Sequence, residues 1–333
     1  MAQLRKSVLV FMQLTILFVC AVLNLADAQG LKVGYYEKTC PSVEKIVKQA
    51  TAKFMSRAPT LAAPLLRMHF HDCFVRGCDG SILLNSTKDN SSEKDAPPNL
   101  SLRGYQVIDG VKTAVESKCP GVVSCADILA LVARDAVSML KGPVPYWKVP
   151  LGRRDGRVSI MQETFTNLPP PFFNISQLKS SFASKGLNVK DLVVLSGGHT
   201  IGTSHCSSFT GRLYNFTGKG DMDPSLDSEY AVNLKKKCKP SDVNTLVEMD
   251  PGSFKTFDEE YYTLVAKRRG LFNSDAALLD DKETGDYVKL QATTQGYTFF
   301  KDFGVSMVKM GNIGVLTGEA GEIRKSCAFV NYY

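Results

Sequence analysis

Apolar residues recur along most of this chain at intervals of three and four, the spacing of helices that bury one face. Val43, Ile46, Val47, Ala50 and Phe54 make one such stripe. Another begins behind Ser124 and continues through Ile128, Leu131, Val132, Asp135 and Ala136, with Asp127 where a capping box would carry Glu. The same period fits 104–117, 176–185, 190–196, 258–268 and 294–310, and Asp191 is placed to cap the 190–196 segment. The stretch LLRMHFHDCFVRGCDGS, 65–81, also reads as a helix. It puts Arg67 and His71 on one face with Phe70 beside them, and turns His69 elsewhere. Strand-like alternation is scarce and short, and there is no internal repeat. Two stretches break the pattern: the polar segment from Asn85 to Pro98, and Asn167 to Phe173 (NLPPPFF), which cannot be helix. The pattern is that of a mostly α protein with few short strands, in which the second break divides two lobes able to hold a ligand between them.

The first residues belong to a different class. Arg5 and Lys6 precede an almost wholly apolar run from Val8 to Leu25, and Ala26-Asp27-Ala28 is a cleavage pattern. The run approaches membrane-spanning length, but the small-residue cut site identifies residues 1–28 as a cleaved signal peptide. Gln29 would then lead the exported chain, where a glutamine cyclises to pyrrolidone carboxylic acid. What remains, 29–333, reads as one soluble, secreted unit with no membrane partner. Loss of Arg5, Lys6 and Asp27 lowers the net charge from +7 to +6. That charge favours an acidic polysaccharide matrix at long range and is too diffuse for nucleic acid. Its one tight run, Lys235-Lys236-Lys237-Cys238-Lys239, lacks aromatic interleaving and reads as a solvated loop. Nine cysteines become eight once Cys20 leaves, an even number that in an exported chain indicates disulfides, with about 105 connectivities open. Asn85, Asn90, Asn99, Asn174 and Asn215 head N-x-S/T sequons.

Two of the chain's four histidines stand in the 65–81 stretch. A guanidinium beside His71 lowers the imidazole pKa and leaves it free to accept a proton near neutral pH. It also suits a reaction that builds negative charge on oxygen. Asp72, Asp79 and Ser81 add side-chain oxygens, with Val75 and Gly77 as carbonyl donors. Oxygen donors spaced on a tight loop suit Ca²⁺, although the spacing is not that of an EF-hand. Cys73 and Cys78 are close enough to clamp that loop. The other two histidines lie in SGGHTIGTSHC, 196–206, where paired glycines before His199 let a bulky group such as a flat macrocycle approach the backbone.

Arg67-Met-His-Phe-His71-Asp-Cys together with Leu195-Ser-Gly-Gly-His199-Thr resembles the two signature segments of the secreted plant haem peroxidases (class III). The resemblance spans the mature chain through Cys40-Pro41, Val123-Ser-Cys-Ala-Asp127, Trp147 through Gly152-Arg-Arg-Asp155, and Leu168-Pro169. It implies a two-lobed, mostly α fold with one haem b between a distal lobe, about 29–168 plus the C-terminal tail, and a proximal lobe, about 169–315. His199 would be the axial iron ligand, with Asp275 accepting its other N–H. His71 would be the distal base, Arg67 the charge stabiliser and Asn99 the partner that fixes the His71 tautomer, which requires Asn99 to be unglycosylated. Two Ca²⁺ ions are implied, one on Asp72, Val75, Gly77, Asp79 and Ser81, the other on Thr200, Asp250, Ser253, Thr256 and Asp258. The implied disulfides are Cys40–Cys119, Cys73–Cys78, Cys125–Cys327 and Cys206–Cys238.

The implied partners are hydrogen peroxide and small aromatic reductants, docking by Pro169 with Phe172 and Phe173. The family's aromatic cluster is only partly matched, because Pro97 and Ser208 stand where some members have phenylalanine. The implied enzyme is a monomer of the apoplast or cell wall. Trp147, His69 and His205 read as structural residues, and Asp127 with Arg153 as a buried ion pair. Two other classes were weighed against this one. A zinc hydrolase would use His69, His71 and Asp72, but helical spacing turns the histidines apart. A non-catalytic calcium-stabilised wall-binding protein would show a damaged haem site, whereas Arg67, His71, Asn99, His199 and Asp275 are all present.

Overall fold

The structure, a computed structural model, describes residues 30–141 and 145–332. The signal peptide expected over 1–28, and Gln29 after it, lie outside the described residues. Helices α1 (Val43–Met55), α2 (Ala62–Val75), α3 (Tyr105–Glu116) and α4 (Cys125–Ser138) pack together, α4 against each of the other three. After α5 (Met161–Asn167) and the proline-rich turn come α6 (Ile175–Ser184) and α7 (Val189–Ser196). A 3₁₀ turn, Gly197–Thr200, leads to a two-stranded antiparallel sheet, β1 (Thr203–His205) with β2 (Leu246–Glu248), which pairs Ser204 with Val247. Helices α8 (Thr210–Tyr214) and α9 (Ser228–Lys237) lie between the strands. Beyond them, α10 (Glu260–Ala266) packs on α12 (Lys282–Thr294), with the short α11 (Asn273–Ala276) between, and both α12 and α13 (Phe299–Met310) pack on α7. The protein is mostly α, as the apolar periodicity predicts.

The apolar stripes meet in one core that runs from Tyr36 to Cys327 and includes residues from both sides of the proline-rich turn. Phe299 and Phe303 are buried there, each contributing about 1.5–3 kcal/mol through loss of apolar surface. A smaller cluster of Phe209, Leu213, Leu234, Val247 and Leu271 surrounds Cys206 and Cys238. All four disulfides form in the pairs that the resemblance implies. Trp147 is buried edge-on to Phe303. Asp127 and Arg153 pair at 2.8 Å with both side chains buried, and Asp127 also accepts from Tyr36 Oη and Gly152 N.

Several local expectations need correction. The helix drawn over 65–81 stops at Val75, because Gly77 adopts φ +104° where a Cβ would lie 2.4 Å from the Gly314 carbonyl oxygen. Ser124 caps α4 by accepting from Asp127 N, but the Asp127 carboxylate turns to Arg153 instead of closing a capping box. Asn188, not Asp191, is the N-cap of α7; Asp191 is the third helical residue and completes the box by accepting from Asn188 N. The lysine run is no loop: Lys235, Lys236 and Lys237 form the last turn of α9, where positive charge meets the unpaired carbonyls of the helix end. The segment drawn over 294–310 starts at Phe299, since 294 closes α12, a helix the apolar pattern missed.

Candidate active site

Helix α2 carries the distal group. Arg67 donates to Ser101 Oγ at 2.8 Å and to the Pro98 carbonyl at 2.7 Å, which ties its guanidinium to the 98–101 loop. Burial lowers its pKa to about 10, so it stays charged at neutral pH. One turn on, His71 Nδ1 lies 2.5 Å from Asn99 Oδ1, and Asn99 Nδ2 donates to the Glu93 carbonyl at 2.6 Å. An amide whose N–H₂ is committed to a carbonyl presents only its oxygen to the imidazole. His71 therefore carries its proton on Nδ1 and leaves Nε2 bare. Burial first, and Arg67 second, hold His71 well below the ordinary histidine range, against the Asn99 bond. Burial is thus the larger cause, where the sequence pointed to Arg67. Asn99 is buried, so its sequon has no room for a glycan. Phe70 packs on Phe74, with ring centroids 4.4 Å apart, and edge-on to His71.

The proximal group sits on the 3₁₀ turn after α7. His199 Nδ1 is 2.8 Å from Asp275 Oδ1, which also accepts from Tyr261 Oη at 2.9 Å, while Oδ2 accepts from Phe272 N at 2.8 Å. Burial alone would raise the Asp275 carboxyl; these partners, His199 foremost, bring it below the ordinary range. The dyad is asymmetric in exposure: the His199 side chain is 38% exposed and that of Asp275 2%. With Nδ1 tied back, Nε2 is the atom His199 offers to a metal. The glycine pair before it divides its work. A Cβ on Gly197 would lie 2.5 Å from both Phe299 and the Tyr262 hydroxyl, so the protein's own rings demand that glycine. Gly198 faces Leu66, the neighbour of Arg67, at ordinary contact distance. A partly exposed imidazole with a buried carboxylate behind it, on a turn whose Gly198 meets the helix that carries a neutral imidazole and a guanidinium, fits a haem iron.

Both cation loops carry oxygen that lacks a partner. Asp72 accepts from Gly80 N and Ile82 N, and Asp79 from Ser81 N, yet the Ser81 hydroxyl and both Glu93 carboxylate oxygens are buried with no hydrogen bond among the described residues. Burial and then its acidic neighbours raise Asp72, and burial with Asp79 raises Glu93 to about 8. In the second loop the Thr200 hydroxyl donates to Asp258 at 2.9 Å and lies 3.3 Å from Asp250, and Ser253 donates to Asp258 at 2.6 Å. Asp250 Oδ1 is buried without a partner among the described residues, and burial and then Asp258 raise this carboxyl to about 7. Crowded, desolvated acids with orphan oxygens fit a hard cation at each loop. Thr256 lies in the second loop, its N–H bonded to the Ser253 carbonyl. Ser101, Glu93 and Tyr261 carry no signal in the chain: no motif marks the first two, and Tyr261 stands on the apolar face of α10.

The remaining assignments sort by geometry. Pro169 is half-buried near Phe172, which is 71% exposed, and Asn273 Nδ2 donates to the Phe172 and Phe173 carbonyls, joining this edge to the helix of Asp275. Among the described residues the side-chain N–H₂ groups of Asn85, Asn174 and Asn215 make no hydrogen bond, but Asn90 Nδ2 donates to the Ser159 carbonyl at 2.7 Å. His69 is buried with Nδ1 3.6 Å from Cys73 Sγ. The cluster His69, Asp72 and Cys73 offers no zinc site, since Cys73 is in a disulfide and Asp72 is bonded into its loop.

Comparison with known proteins agrees with this geometry. The family profile described as peroxidase matches residues 47–294. Peroxidase 27 of Arabidopsis thaliana is 65% identical over 315 residues, spanning 95% of this chain and 97% of its own. Peroxidase 56 of the same plant is 60% identical over 333 residues, 99% of this chain and 100% of its own. Peroxidase 1 of Oryza sativa subsp. japonica is 57% identical, spanning 95% of this chain and 97% of its own. The chain belongs to the plant peroxidase family that its motifs resemble, and it is a peroxidase. The family implies haem, hydrogen peroxide and a reductant.

Proposed function

We propose that this peroxidase holds one haem b through His199, reduces hydrogen peroxide and oxidises small phenolic donors one electron at a time. The observation that carries this reading is His71, neutral, with Nδ1 fixed by Asn99 and Nε2 bare, one turn from the charged Arg67. When bound, haem supplies the iron that takes up peroxide and the macrocycle that stores oxidising equivalents. His71 Nε2 takes a proton from one peroxide oxygen and delivers it to the other, which leaves as water. Arg67 stabilises the negative charge growing on the departing oxygen. Asp275 increases the donor strength of His199 and fixes its ring, with Tyr261 and Phe272 N holding the carboxylate.

Phenols dock at the edge formed by Pro169 and Phe172, in keeping with roles in lignin or suberin formation, wall cross-linking, peroxide removal and stress response. One Ca²⁺ on Asp72, Val75, Gly77, Asp79 and Ser81 pins the end of α2. A second on Thr200, Asp250, Ser253, Thr256 and Asp258 pins the turn that carries His199. The signal peptide sends the chain to the apoplast or cell wall as a monomer of two lobes around the haem, with glycans on Asn85, Asn174 and Asn215. Among the described residues no helix is long and apolar enough to cross a membrane.

The test is the visible spectrum of the purified haem-loaded protein before and after one equivalent of hydrogen peroxide. The Soret band is expected to lose intensity within the mixing time and to recover through a second species when a phenol is added. A Soret band that peroxide leaves unchanged would sink the reading.

A further inference from the structure

Asp275 Oδ1 accepts from two donors, His199 Nδ1 and the Tyr261 hydroxyl. Tyr261 is also the first of three phenol rings in line. Centroids are 5.8 Å apart from His199 to Tyr261, 5.2 Å from Tyr261 to Tyr262 and 5.7 Å from Tyr262 to Tyr287. The first two tyrosines are buried and Tyr287, on α12, is half-buried. The outer hydroxyl donates to Asp302 Oδ2 at 3.0 Å, and Asp302 Oδ1 pairs with Lys190 Nζ at 2.8 Å.

Packing alone does not require these hydroxyls. The neighbouring wall of the same core is built from Phe257, Phe299 and Phe303 at similar spacing. A phenol differs from a phenyl ring in that it can be oxidised at an accessible potential, provided its proton has an acceptor. Tyr261 has one in Asp275 and Tyr287 has one in Asp302. Burial, and then Asp302, raise the Tyr287 phenol, so it keeps its proton until it loses an electron.

We infer that Tyr261, Tyr262 and Tyr287 form an electron route from the His199 side of the site to the surface, making Tyr287 a second oxidation site. Its donors are phenol-bearing macromolecules too large to reach the Pro169 edge. The inference rests on the peroxidase reading, since peroxide is the final oxidant. One electron passes from Tyr287 through Tyr262 and Tyr261 toward the haem site, and the phenolic proton passes to Asp302, leaving a neutral tyrosyl radical. A phenol of the macromolecule then gives Tyr287 a hydrogen atom, and Asp302 releases its proton to solvent. Two such events supply the two electrons that reduce one peroxide to water.

The experiment compares haem-loaded wild type, Tyr287→Phe and Asp302→Asn. Each is mixed with one equivalent of peroxide without reductant, frozen for electron paramagnetic resonance, and in parallel treated with a nitroso spin trap for peptide mapping. Turnover is measured on free guaiacol and on tyramine-coupled dextran. Wild type is expected to show a tyrosyl signal and a trap adduct on Tyr287. Tyr287→Phe is expected to lose the adduct and to slow severalfold on the dextran, with guaiacol turnover unchanged. Asp302→Asn, which keeps the phenol and removes its proton acceptor, is expected to weaken the signal and to slow dextran turnover likewise. An adduct on other residues only, or dextran rates equal in all three proteins, overturns the route while leaving the peroxidase reading intact. Haem-loaded wild type inert toward guaiacol overturns both.

Discussion

The Asn99 side chain has both of its polar ends assigned, Oδ1 to His71 and Nδ2 to the Glu93 carbonyl. That double commitment fixes which nitrogen of His71 is free, and the general-base role proposed for it depends on that. Replacing His71 by Ala is expected to lower kcat/KM for peroxide by roughly 10²–10⁴-fold, with KM for the phenol little changed. Asn99→Ala, which leaves Nδ1–H buried without its acceptor, is expected to cost less than His71→Ala; stopped-flow rates with peroxide order the two. Glycopeptide mass spectrometry is expected to find residue 99 bare. The types and spacing of Arg67, His71 and His199 could be read in the chain because their signature segments are local, whereas Asp275, 76 residues from His199, entered only through the resemblance. Ser101, the Pro98 carbonyl and Glu93 could not, since they act through contacts that only the folded loop creates. A further pair tests the electrostatics away from the site. Burial alone would raise the Asp223 carboxyl, but bonds from Ser225 and Arg212 hold it below the ordinary range. The native state then gains stability above the unfolded carboxylate pKa of about 4 and loses it as pH falls through the lower folded value. Asp223→Asn is therefore expected to lower Tm at neutral pH, and the difference from wild type should close in acid; a difference independent of pH would refute the assignment.

Helices with a single apolar face were legible and those with other anchors were not. The periods over 104–117, 176–185 and 190–196 locate α3, α6 and α7 to within one residue at either end. Helix α12 escaped because its buried face mixes Thr284, Gly285, Val288 and Gln291, and its start is set by Asp281 accepting from Glu283 N and Thr284 N. The lysine run misled because charge at a helix end looks like a solvated loop in sequence. The two cation loops are held partly by groups that repel one another, Asp72 with Asp79 and Asp250 with Asp258. An ion that binds only the folded chain adds stability by mass action. Scanning fluorimetry is thus expected to show Tm falling after prolonged EGTA and returning when CaCl₂ is added back. Identical melting curves would count against both loops as Ca²⁺ sites.

At the scale of the molecule, the tail is part of the core it closes. Cys327 is bonded to Cys125 at the start of α4, across a sequence separation of 202. The fully buried Arg324 donates to the Gly80 and Cys327 carbonyls, and its backbone N–H donates to Asp155. A cross-link over so long a loop is worth roughly 2–5 kcal/mol. Replacing Cys125 and Cys327 together by Ser should lower the urea midpoint and steepen the slope, because the unfolded chain is then free to expose more surface. The same closure sets an order on biosynthesis. The distal-side helices leave the ribosome early, yet the contacts of Arg324 with Asp155 and Gly80, and the disulfide of Cys125, form only after residue 327 has been translated. Cys125 must therefore wait, reduced, while 202 further residues are made. A thiol oxidase that acts once Cys327 has emerged would govern how much of this protein reaches its native form.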